Sequence, residues 1–165
     1  MISDQTIGWI ESLAQQELQI DSGSRKSHDV SIAKTDALNV ATATFLREVQ
    51  AQFSFLANLF NSRVGSTHSS IAITRALESA DFSMNRNGFE LRVVAAQPSV
   101  VQINCVRLGR MEAQSKDMLL FSGTVEARFA AFHEIEWHFL GAAVSPEQLA
   151  RHYLTEFIQT SRPAV

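Results

Sequence analysis

Phe82-Ser83-Met84-Asn85-Arg86-Asn87-Gly88-Phe89-Glu90-Leu91-Arg92-Val93 is the stretch on which the fold turns. Asn-Gly is the dipeptide preferred in two-residue type I′ hairpin turns, because both central residues of such a turn need positive φ. A turn at Asn87-Gly88 fixes the pairing of everything around it: Arg86 with Phe89, Met84 with Leu91, and Phe82 with Val93. Phe82, Met84, Leu91 and Val93 then share one face. Ser83, Asn85, Glu90 and Arg92 share the other. That division is what an antiparallel pair with one buried side requires.

Downstream, Pro98 interrupts the chain. Residues 100–108 follow, rich in β-formers and apolar on both faces, as in a central strand or one covered on both sides. Residues 109–117, polar and starting with Gly109, read as a long connection. Two more strands follow at 118–129 and 132–140, the second with Ile135, Trp137 and Phe139 inward. A further strand at 71–74 fits, although Ile73 and Leu77 suit a helix equally. Ser145 as cap, Pro146 at the first helical position and Gln148 three residues after the cap predict a closing helix over 146–160. Its apolar side is Leu149, Tyr153, Leu154 and Phe157.

Upstream, Leu38, Phe45, Val49, Phe53, Leu56, Leu59 and Phe60 recur at helical spacing over 36–63, with Arg47, Gln50, Ser54, Asn58 and Asn61 opposite. Phe55 falls outside the stripe, and Gly65 supplies a left-handed stop. Ile7, Ile10, Leu13, Ala14 and Leu18 predict a short helix over 4–19, capped by Ser3 or Asp4, with Trp9 off its stripe. Between the two helices, 21–34 has no periodicity and reads as a linker or mobile loop. The expected architecture is therefore one α+β domain over 1–165. A mostly antiparallel sheet of five or six strands within 71–140 carries the long helix and the C-terminal helix on one face, with a short N-terminal helix added.

Composition bounds the function. Fourteen Lys and Arg stand against seventeen Asp and Glu, for a net charge of −3. That leaves no broad basic field for nucleic acid or anionic lipid. Cys105 is the only cysteine, so no intrachain disulfide forms. The acidic start lacks an export signal, and no apolar run reaches the ~18 residues of a membrane span. The cytoplasm is the expected compartment, and no motif calls for a cofactor.

Candidate chemistry is sparse. On a strand, Glu134, Glu136 and His138 project from one face at two-residue spacing, a donor set suited to a divalent metal or to acid–base work. The plainer reading is a solvent face, since adjacent donors on one strand diverge. The spacing is not that of the helical zinc motif His-Glu-x-x-His. Cys105 sits among Ile103, Val106 and Leu108 and reads as a core thiol. The hydroxyl-rich run from Gly65 to Ser70, which includes His68, matches neither a phosphate loop nor a nucleophile elbow. His28 and His152 read as surface residues. Arg86, Arg92, Arg107 and Arg110 with Phe82 and Phe89 are the one grouping of arginines and aromatics, but the hairpin register turns both Phe rings toward the helices.

The sequence thus points to a non-catalytic protein-binding or regulatory module that self-associates, most simply as a homodimer. Its candidate contact residues are Phe55, Leu59 and Trp9, with Arg92 and Glu90 on the polar sheet face. The alternatives are a small-ligand or metal site on the strand 132–140, and nucleic-acid recognition through the sheet arginines.

Overall fold

The Asn87-Gly88 turn forms as its sequence dictates, with φ of 51° and 81°. The computed structural model describes residues 3–19, 26–65, 70–110, 112 and 114–163, with the backbone alone at 18, 19, 26–32 and 133. Helices α1 (Asp4–Gln19) and α2 (Lys26–Val64) come first. Strands β1 (Ala72–Arg75), β2 (Phe82–Arg86), β3 (Phe89–Gln97), β4 (Val100–Arg107), β5 (Met118–Phe129), β6 (Ile135–Phe139) and β7 (Ala142–Ala143) follow, and α3 (Pro146–Thr160) closes the domain. The strands pair in chain order, each antiparallel to the next. Both edges are short, which limits the template offered to other chains. Among the described residues no helix is long and apolar enough to cross a membrane.

The predicted register is the observed one: Phe82 opposite Val93, Met84 opposite Leu91, Arg86 opposite Phe89. It propagates through β4, whose Ile103 and Cys105 face Val93 and Leu91, and through β5 to Trp137 on β6. Those residues form one buried layer with Phe45, Leu46, Val49, Phe53 and Ala57 of α2 and Leu149, Tyr153, Leu154 and Phe157 of α3. Phe45 stacks on Trp137 with centroids 4.2 Å apart and rings 12° from parallel. Both helices therefore cover the same sheet face, and β4 is the central strand of seven.

Polar side chains tie the helices to the strands at each end. Asn61, in the last turn of α2, uses both ends of its amide on one residue. Its Nδ2 donates to the Ile71 carbonyl (2.9 Å), and its Oδ1 accepts from the Ile71 N–H (2.7 Å). The buried Thr42 hydroxyl donates to the Leu38 carbonyl (2.6 Å) and accepts from the Ser99 N–H (3.0 Å), pinning the β3–β4 turn. At α3 the capping box forms as predicted, with reciprocal bonds between Ser145 and Gln148.

Three expectations change. The sheet has seven strands, not five or six. The added β7 follows a turn at Leu140-Gly141 with φ of 51° and 81°, the same conformation as Asn87-Gly88 but with leucine where asparagine is usual. Strand β6 begins only at Ile135, because residues Ala131–His133 form a 3-10 turn with Phe132 left-handed. The span 21–34 is not a continuous linker: α2 starts at Lys26, while 20–25 lie outside the described residues. The run from Asp21 to Asp29, rich in Ser, Gly and Asp, offers no apolar period by which that start could be read.

Candidate functional site

The uncovered sheet face carries the polar residues assigned to it. Arg92 lies over Glu90, its Nη2 at 2.6 Å and Nε at 2.7 Å from Glu90 Oε2, and Nη2 also reaches Asp117 Oδ2 at 3.2 Å. Asp117 accepts in addition from the Gly109 N–H at 2.9 Å. The hydrogen bond from Gly109, then that from Arg92, hold the Asp117 carboxyl below its ordinary range, and the bond to Glu90 raises the Arg92 guanidinium. The cluster closes the 109–117 connection onto β3 and uses its charges internally.

Farther along the same face, His138 Nε2 lies 3.2 Å from Glu136 Oε2, and Glu126 is the cross-strand neighbour of His138. Glu134 does not join them. It precedes β6 and lines a cleft of about 440 Å³ with Gln5, Thr6, Trp9 and Phe132. Among the described residues no three His, Cys, Asp or Glu side chains come together as a metal site. Trp9 is thus placed at the contact of α1 with the β5–β6 connection, well apart from Arg92 and Glu90.

The arginine and aromatic grouping divides between the two sides of the sheet. Phe82 and Arg86 are buried on the helix side and Phe89 is half-buried there, whereas Arg92 lies on the open side. Arg107 and Arg110 are exposed. A larger cleft of about 690 Å³ runs between α2 and the β1–β2 connection, bordered by Asn39, Arg47, Gln50, Leu77, Asp81 and Pro98. Asp81 fixes its lip by accepting from the Ala95 N–H at 2.9 Å. Of the run from Gly65 to Ser70, residues 66–69 lie outside the described residues. The His28 side chain is not among those described, and His152 is exposed with its ring 5.5 Å from that of Phe139.

The outer face of α2 is a further exposed surface. Phe55 is 64% exposed and Leu59 45%. Val40, 68% exposed, continues the same face toward the N-terminus, with exposed Thr44, Arg47, Glu48 and Ala51 between. Comparison with known proteins finds no matching family model, no matching curated protein and no matching solved structure. The reading of function therefore rests on these surfaces alone. Val40, Thr44, Glu48 and Ala51 were not among the sequence candidates. The available signal was their spacing of three and four residues with Phe55, masked by two small residues that read as filler.

The buried titratable groups shift away from catalytic use. Burial pushes the Cys105 thiol up to about 11, and burial, with Glu156 nearby, pushes the Tyr153 hydroxyl up to about 12. A nucleophilic thiol needs the opposite shift. Both groups ionise more readily in the unfolded chain, so the stability they confer is complete below about pH 9 and is lost as pH rises from about 9 to 12. Thermal melts are expected to be level from neutrality to about pH 9 and then to fall. Cys105→Val should remove the part of the decline that begins near pH 9, and a wild-type slope in that variant would assign it to other groups.

Proposed function

We propose that this chain is a non-catalytic protein-binding module that self-associates through the outer face of α2. One observation carries the reading: Val40 and Phe55, two large apolar side chains about two-thirds exposed, lie on one face of a helix whose opposite face is locked in the core. A rigid helix presents its contacts without an ordering cost at the moment of binding. Phe55 and Leu59, one turn apart on α2 and both exposed, add adjoining apolar area, and contiguous apolar surface of this kind marks a contact with another chain. The raised Cys105 thiol, inside β4 and fully buried, adds support by removing the one thiol nucleophile.

Light scattering across a micromolar concentration series is expected to give twice the 18.3 kDa chain mass. Phe55→Asp should lower the dimer fraction and, at a concentration where the wild type is also monomeric, leave Tm within about 2 °C, since an exposed substitution away from special features shifts stability by only ~0.5 kcal/mol. A strict monomer at every concentration overturns the reading.

A further inference from the structure

Resting on that self-association, we infer that two copies pair through α2 in antiparallel orientation about a twofold axis passing between Arg47 and Glu48. The inference follows from the order of residues on the exposed face. A twofold contact is isologous, so each residue meets the one equally far on the other side of the axis. With the axis at the Arg47–Glu48 midpoint, Arg47 of each copy meets Glu48 of the other, Thr44 meets Ala51, and Val40 meets Phe55. Opposite charges face each other at the centre, two small residues flank them, and one large apolar pair closes each end.

All six side chains are exposed and so available to a second copy. Arg47 and Glu48 form no salt bridge with each other or with other described residues, which leaves their charges for a partner. The small Thr44–Ala51 contacts let the helix axes approach toward the lower end of the usual 8–10 Å. The contact spans sixteen residues of α2, roughly 24 Å at 1.5 Å per residue. Charge order supplies specificity: a parallel pairing about the same midpoint sets Arg47 against Arg47 and Glu48 against Glu48, so like charges oppose it.

Charge reversal tests the axis. Arg47→Glu alone and Glu48→Arg alone each set two like-charge contacts at the centre and are expected to raise the dimer dissociation constant about tenfold. Mixing the two variants should restore wild-type affinity in the heterodimer, because every central contact is then between opposite charges. Register is tested by mixing a Thr44→Cys chain with an Ala51→Cys chain and adding a short bis-maleimide. The mixture is expected to cross-link, while each chain alone stays uncross-linked, its two thiols lying about 10 Å apart along the axis. Cys105, fully buried, does not compete. A dimer insensitive to both charge reversals, or one that cross-links Thr44→Cys to itself, overturns this pairing and leaves self-association standing. A chain monomeric throughout overturns both.

Discussion

Gly123→Ala is expected to destabilise the domain by about 1–3 kcal/mol, although a glycine inside a strand is ordinarily improved by alanine by ~0.5–1 kcal/mol. The reversal of sign comes from Tyr153. Gly123 stands in β5 opposite Ile103, facing the helices. A Cβ placed on it would meet Tyr153 Oη head-on, lie 2.8 Å from Cζ, and lie 3.4 Å from Cε2 of Phe139. The tyrosine has nowhere to retreat. Phe121 lies against one part of its ring at 6.1 Å between centroids, and Phe139 meets it nearly edge-on at 5.6 Å. Glycine is thus the socket for the largest side chain of α3. Thermal or urea unfolding reads the effect, at roughly 2–4 °C of Tm per kcal/mol for a domain of this size. Tyr153→Phe in the same chain removes the Oη collision and should recover part of the loss. A Gly123→Ala protein that melts at or above the wild-type temperature would show that Tyr153 does not seat there.

How much of this was legible in the sequence depends on what each signal reports. The hairpin register needed two local cues, a turn dipeptide with one preferred geometry and a polar–apolar alternation, and both pointed to the pairing observed. The α3 cap was equally local, since its donors and acceptors lie within four residues. The β6–β7 turn was not legible, because Leu140 adopts the left-handed conformation that asparagine or glycine signals, and at 88% exposure it gains no burial in return. The start of α2 at Lys26 was missed because the run from Asp21 to Asp29 is rich in turn-forming residues and carries no apolar period. At the candidate site the sequence offered Phe55, outside the apolar stripe, and Leu59, which it placed within that stripe and which is 45% exposed. It did not find Val40, Thr44 or Ala51, whose role depends on which side of α2 the sheet leaves uncovered. The Glu134, Glu136 and His138 row shows the converse: Glu136 and His138 share a face and touch, while the 3-10 turn displaces Glu134 toward α1.

Arg86, which the sequence reading paired with Phe89 and grouped with the other sheet arginines without assigning it a contact, carries the other large effect. Its position in the hairpin puts it on the helix side of the sheet, where it is only 7% exposed. Nη1 donates to the Ile158 carbonyl and to Ser161 Oγ, both at 3.0 Å, and the guanidinium carbon sits 5.2 Å from the centre of the Phe60 ring. Beside it, Asn87 Nδ2 donates to the Ser161 carbonyl at 2.8 Å. The last carbonyls of a helix lack partners within it and carry the negative end of its dipole, so the hairpin tip serves as the C-terminal cap of α3. Burial, and secondarily Arg162, lower the Arg86 pKa, which marks the desolvation that these contacts must offset. Hydrogen bonds from a charged donor contribute ~1.5–3 kcal/mol and a desolvated cation–π contact up to ~2. Arg86→Ala is therefore expected to cost about 2–4 kcal/mol. Arg86→Lys should recover only part, because an ammonium has no planar fork to span the carbonyl, the hydroxyl and the Phe60 face together. The loss should be local before it is global. Amide exchange at Phe157–Ser161 is expected to quicken more than at Leu149–Tyr153, since only the last turn loses its cap. Uniform acceleration along α3, or a cost below about 1 kcal/mol, would mean that the hairpin tip merely touches the helix and does not hold its end.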